Sequence, residues 1–152
     1  MRHTTRRDVL QRGSAFAALV SCGLITAGQA QAAVDGAAFE VKTLAEALKL
    51  LGSTPADSKE ISISSPDIAE NGAVVPVAVT SKLAKTLEIY ILVEKNPQPL
   101  TATFTIPEGT EPFVSTRVKM GQSTNVYAVV KADGKLYSAA KETKVTLGGC
   151  GG

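Results

Sequence analysis

Few side chains in this sequence can serve as thiol nucleophile, imidazole base or soft metal ligand. There are two cysteines, Cys22 and Cys150, and one histidine, His3. Cys150 stands in the run KVTLGGCGG, bracketed by Gly148, Gly149, Gly151 and Gly152. Glycine has no side chain to pack and populates many backbone conformations, so ordering such a segment is entropically costly and it should be mobile. Five residues at ~3.3–3.6 Å each let the thiol reach roughly 10–15 Å beyond the last strand, slim enough to enter a narrow pocket. No Lys, Arg or His lies within five residues of Cys150. An exposed thiol without such a neighbour is only a few per cent thiolate at neutral pH. The residue types therefore suit covalent attachment, activated by whatever enzyme the thiol enters, and they do not suit a resident catalyst.

Two other readings of this segment exist. A lone cysteine in an exported protein also suits an intermolecular disulfide, giving a Cys150-linked homodimer on oxidation. A terminal Gly-Gly is also how ubiquitin-like sulfur carriers present a thiocarboxylate, here at Gly152. That chemistry needs ATP-dependent adenylation, which an exported protein would not meet.

The N-terminal segment decides which residues count. Residues 1–32 combine a basic start, a modest apolar stretch from Gly13 to Gly28, and Ala30-Gln31-Ala32. That is the layout of an export signal cleaved after Ala32, and the stretch is too short and too rich in small residues to span a bilayer comfortably. Thr5-Arg6-Arg7-Asp8-Val9-Leu10 resembles the twin-arginine motif and departs from it at Val9 and Gln11. Leu19 to Cys22 also matches a lipobox, but the chain stays apolar after Cys22 and then offers the better Ala-x-Ala site. Export predicts a periplasmic location.

Removing residues 1–32 takes away four arginines and one acid, so the formal charge falls from +2 to −1. No basic patch remains to argue for nucleic acid or an anionic membrane. His3 and Cys22 leave with the signal. The rest cannot build a Ser-His-Asp triad, a Cys-His dyad, a His-based metal site or a CxxC pair, and no cofactor is called for.

The elements that must hold Cys150 follow from periodicity. Residues 33–52 read as one helix, with Phe39, Leu44, Ala47, Leu48 and Leu51 at helical spacing and Gly52 as its stop. STPADSKE reads as a loop. From Ile61 the period becomes two, with strands expected at Ile61–Ser64, Val74–Thr80, Thr86–Glu94, Thr101–Ile106, Phe113–Met120, Asn125–Lys131 and Lys135–Thr146. Leu87, Ile89, Ile91 and Val93 should share one face. Val114, Val118 and Met120 should share another, opposite Ser115, Arg117 and Lys119. Turns are supplied by Asn71-Gly72, Asn96-Pro97, Pro107-Glu108-Gly109 and Asp133-Gly134.

This pattern predicts a mainly β fold: an immunoglobulin-like antiparallel β-sandwich of about seven strands, preceded by one N-terminal helix. Pro76 marks an edge or a strand start. Val126, Ala128 and Val130 alternate with Tyr127 and Val129, so part of an outer face should be covered by the helix or by another subunit. The organisation expected is a signal at 1–32, a helix-plus-sandwich domain at 33–147 and a carrier arm at 148–152. Arg117 and Lys119 could steer anionic adducts, although a solvated face is the simpler reading. Asp67, Glu70 and Asn71 could suggest a cation site, although a polar turn accounts for them better.

With GGCGG in place, SPDIAENGAVVPVAV, VEKNPQPL and TRVKM carry a resemblance over essentially the whole mature chain. The sequence resembles the SoxY family, sulfur carriers of the periplasmic thiosulfate-oxidising (Sox) system. The resemblance implies that Cys150 holds the substrate as an S-linked adduct, beginning with thiosulfate joined oxidatively to the thiol. A c-type cytochrome, a sulfate-releasing hydrolase and a sulfur dehydrogenase would act on that adduct in turn, so the chain would be a carrier and not an enzyme. It also implies a heterodimer with SoxZ, a second sandwich protein whose presence could explain the strands that are apolar on both faces.

Overall fold

The structure is a computed structural model, and it describes residues 38–52 and 54–146. Residues 38–40 are helical, and α1 follows at Leu44–Leu50. The single helix expected over 33–52 is therefore broken. Thr43 is the reason: its backbone is extended (φ −127°, ψ 146°), and its Oγ1 accepts from the Glu46 amide at 3.2 Å. The same hydroxyl donates to Glu46 Oε2 at 2.8 Å. Thr-x-x-Glu is the sequence pattern of a capping box, and here Thr43 caps the Glu46 amide while its hydroxyl bonds the Glu46 carboxylate, so the local hydrogen bonds start a new helix at Leu44 and do not continue an old one.

The strands are β1 (Ala56–Asp57), β2 (Ile61–Ser64), β3 (Ile68–Ala69), β4 (Val75–Ser81), β5 (Thr86–Val93), β6 (Leu100–Thr105), β7 (Phe113–Val118), β8 (Thr124–Ala132) and β9 (Lys135–Val145). All seven expected strands are present. β1 and β3 are additional, and both pair in parallel with β9. They fall in stretches that read as a loop and a polar turn. Two residues cannot show an alternation, and what holds them is the free side of β9.

Strands β4, β2 and β7 form a three-stranded sheet in the order β2-β4-β7. The larger sheet runs β1-β9-β8-β5-β6, with β3 also on β9. Between the sheets lies one core. Val75, Val77 and Val79 of β4 and Val114 and Val118 of β7 meet Ile89, Ile91 and Val93 of β5 and Val126, Ala128 and Val130 of β8. The β8–β9 connection is a two-residue hairpin in which Asp133 (φ 48°) and Gly134 (φ 74°) both adopt the left-handed region. That twist matches the flanking strands and is why Asp-Gly is found there.

The opposite face of the large sheet is apolar as well. Tyr90, Leu92, Leu100, Val129 and Leu136 are buried against Ala38, Ala47 and Leu51, with Phe39, Val41, Leu44 and Leu48 packed around them. The chain's own helical segment therefore covers this face, and a partner subunit is not needed to explain the doubly apolar strands. Tyr90 directs its hydroxyl to Glu88 Oε2 at 2.7 Å, and Lys131 closes on the same oxygen at 2.9 Å.

Two further expectations change. Leu87 does not join Ile89 on the core face; it is 49% exposed. The β5–β8 register shifts between Thr86 and Glu88, and this bulge turns Leu87 outward. Pro76 lies in the middle strand of its sheet. However, β2 ends where Ser64 pairs with Ala78, so at Pro76 the strand is paired only with Arg117 of β7. The proline occupies a local edge, where its missing N–H interrupts no ladder on the β2 side.

Candidate functional site

Cys150 and its four glycines lie outside the described residues, as do the expected signal and the lipobox cysteine. What the structure describes is the place from which residues 147–152 depart. That place is the last turn of the ladder on β9, which is held from both sides. On one side β3 pairs in parallel, Ile68 with Lys144 and Ala69 with Val145. The amides of Lys144 and Thr146 donate to the carbonyls of Asp67 (2.9 Å) and Ala69 (3.1 Å).

On the other side β8 begins only at Thr124, opposite Thr143. One step beyond it, the side chain of Ser123 replaces a strand. Its Oγ accepts from the Val145 amide at 2.9 Å and lies 3.5 Å from the Val145 carbonyl as a donor. Ser123 is in turn fastened by Lys95, whose Nζ donates to the Ser123 carbonyl at 3.3 Å. The Lys95 amide donates to Thr124 Oγ1 at 3.2 Å.

The segment leading to β3 is tied to β9 by a buried hydroxyl pair, Ser65 with Thr143 at 2.9 Å. Lys141 adds an ion pair to Asp67 at 3.1 Å and donates to the Ser65 carbonyl. Gly72 closes the arrangement. A Cβ there would lie 2.3 Å from the Met120 carbonyl oxygen and 2.8 Å from Val145 Cγ1, so only glycine lets these three segments approach.

The other sequence candidates are dispersed. Arg117 and Lys119 are exposed, as their alternation with buried Val118 and Met120 requires. Lys119, Lys95, Asn96, Gln98 and Gln122 line a polar groove of about 530 Å³ beside the Ser123 loop, and Asn96 Nδ2 donates to the Lys119 carbonyl at 2.8 Å. Arg117 does not line it. Asp67 is engaged by Lys141, and Asn71 Oδ1 accepts from the Ala73 amide at 2.9 Å, the hydrogen bond of an Asx turn. Among the described residues no cluster of three or more His, Cys, Asp or Glu could hold a metal.

A more apolar hollow of about 580 Å³ is lined by Leu83, Leu87, Ile106, Pro107 and Pro112 together with Asp133 and Gly134. It lies where β9 begins, at Lys135, and β9 carries the chain away from it for about 33 Å at a strand's ~3.3 Å per residue. The last described residue, Thr146, is therefore at the other end of β9 from this hollow. Sequence reasoning missed Ser123 and Lys95. Nothing in their spacing announces them, because each acts on a residue more than twenty positions away.

Against known proteins, the chain matches the family described as sulfur oxidation protein SoxY over residues 47–150. The chain belongs to the SoxY family. A solved structure of the sulfur carrier protein SoxY from Chlorobium limicola f thiosulfatophilum is 40% identical, with a TM-score of 0.60 over 66% of this chain and 88% of that one. A variant superoxide reductase (neelaredoxin) from Ignicoccus hospitalis superposes with a TM-score of 0.50 at 20% identity over 66% of this chain and 87% of that one, a likeness of fold alone. No curated protein matches by sequence. SoxY membership supports a carrier role in sulfur oxidation.

Proposed function

We propose that this protein carries the sulfur intermediates of thiosulfate oxidation covalently on Cys150 and presents them to partner enzymes in the periplasm. The observation that carries the reading is that the SoxY match extends as far as residue 150, the position of this cysteine. Cys150 is also the one cysteine left once residues 1–32 are removed. Its glycine bracket begins two residues past a described anchorage at Thr146.

The chemistry balances without a group on the carrier itself. The Cys150 thiol and thiosulfate form a sulfur–sulfur bond, losing one proton and two electrons to a c-type cytochrome. Water then attacks the terminal sulfonate of the Cys–S–S–SO3⁻ adduct at a hydrolase. Sulfate leaves, two protons are released, and a Cys–S–S⁻ persulfide stays on the carrier. A sulfur dehydrogenase can oxidise that sulfane sulfur while it remains attached. An unactivated thiol suits this division of labour, because a low-pKa cysteine would react between enzymes as readily as within them.

The partner subunit is a second sandwich protein, SoxZ. The twin-arginine pattern explains how a chain without resident cofactors leaves the cytoplasm folded: it takes its partner with it. Since the helical segment covers the outer face of the large sheet, the partner's place is elsewhere on the surface. Among the described residues the exposed large apolar side chains are Leu50, on α1, and Ile68, Val74, Leu87 and Phe113, of which the last four lie outside the helical segment.

The deciding experiment is the intact mass of the protein from the periplasmic fraction, before and after thiosulfate and the cytochrome are supplied. The expected result is a chain beginning at Ala33 that gains one S2O3 unit on the peptide containing Cys150, a gain lost in Cys150→Ser with the melting curve unchanged. A Cys150→Ser protein that still supports thiosulfate oxidation, losing only a covalent dimer, would establish the disulfide reading instead.

A further inference from the structure

The strand that leads to Cys150 does not simply run out. Its ladder partner β8 stops at the Thr124–Thr143 rung, yet the backbone of Val145, two residues further on, is held on that side by Ser123 Oγ acting as both acceptor (2.9 Å) and donor (3.5 Å). Across the strand, Thr146 is held by the Ala69 carbonyl at 3.1 Å. Ser123 is itself braced by Lys95 through its carbonyl. A turn serine whose hydroxyl serves both polar groups of one distant residue extends the sheet by one rung at the point where the carrier segment departs.

We propose that Ser123 is a positioning residue for the carrier reaction, and that with Ala69 it sets the pivot from which Cys150 swings. This inference rests on the carrier reading of Cys150. With the pivot at Thr146, four residue steps separate it from the thiol-bearing residue, at most about 13–14 Å of extended chain. The Ser123 bonds and the β3 bonds from Lys144 and Thr146 to the Asp67 and Ala69 carbonyls must open together to free the strand back to Thr143, and losing Ser123 makes that opening more frequent. Three more residues then join the free chain and the span grows to about 23–25 Å. The volume available to the thiol then increases several-fold, and its effective concentration at any docked active site falls accordingly. The clamp keeps the arm long enough to enter a partner enzyme and short enough to be presented rather than diluted. Lys95 and Thr124 belong to the same device, since they fix the loop that carries Ser123.

The test uses the exported protein with SoxZ, a nitroxide maleimide on Cys150, and amide exchange and line broadening read by NMR. In Ser123→Ala, protection of the Val145 amide should fall about fivefold to tenfold, the loss of one hydrogen bond, while Val130 in the core is unchanged. Broadening by the nitroxide should reach amides farther from Thr146 than in the parent protein. The rate at which Cys150 reacts with a small disulfide reagent should stay the same, and Ser123→Thr, which restores the hydroxyl, should recover both the protection and the shorter reach. Unchanged Val145 protection or unchanged broadening in Ser123→Ala overturns the proposal. Failure of the carrier reading is separable: Cys150 would then gain no S2O3 unit by intact mass in either form, whatever the exchange data show.

Discussion

At Gly72 and Gly121 the same substitution should have opposite signs. A methyl group on Gly72 would overlap the Met120 carbonyl oxygen at 2.3 Å, and that oxygen is backbone, which cannot move aside cheaply. The Met120 amide donates to the Gly72 carbonyl at 2.7 Å, so the two segments are locked together. Gly72→Ala should therefore cost about 3 kcal/mol, the upper range of overpacking. Around Gly121 a Cβ meets nothing within 4 Å, and Gly121 is absent from the residues with positive φ. Gly121→Ala should be neutral or stabilise by about 0.5 kcal/mol by restricting the unfolded chain. Urea unfolding of the two variants checks both, and equal effects would mean the close approach at Gly72 is not what requires glycine. Asn71-Gly72 was legible in the sequence as a turn. The reason for its glycine was not, because Met120 and Val145 are remote in the chain.

Among the elements, the helical segment shows how local and tertiary information divide. Apolar spacing from Phe39 to Leu51 identified its buried face correctly, since Ala47 and Leu51 are buried and Phe39, Leu44 and Leu48 pack beside them. It hid the break, because a capping box interrupts the backbone without disturbing the apolar period. Thr43→Ala removes both bonds to Glu46 and should cost about 1 kcal/mol, with faster exchange at the Glu46 amide, whereas Thr43→Ser should retain stability. A Thr43→Ala protein as stable as the parent would show that packing alone starts α1. The seven longer strands were legible for the opposite reason: each is long enough to show either an alternation, as in β4, or a continuous apolar run, as in β5. β1 and β3 are two residues each and owe their existence to β9.

For the whole molecule, the helical segment makes the outer face of the large sheet a second core. Leu92 is fully buried there with Tyr90 and Val129. Leu92→Ala should consequently cost about 2–5 kcal/mol in the isolated chain, measured by urea unfolding. A cost under about 1 kcal/mol would mean that this face is open until a partner arrives. The sequence by itself determined the β-sandwich, the buried faces of its longer strands, and Cys150 as the covalent site to propose, because periodicity and residue inventory are local properties. Only the tertiary structure decided that the chain covers its own outer face, that Leu87 turns out at a bulge, and that Ser123, itself held by Lys95, and Ala69 hold the end of β9 at Val145 and Thr146. Those facts depend on pairings between residues far apart in sequence, whose geometry exists only once the two sheets and the helical segment have packed.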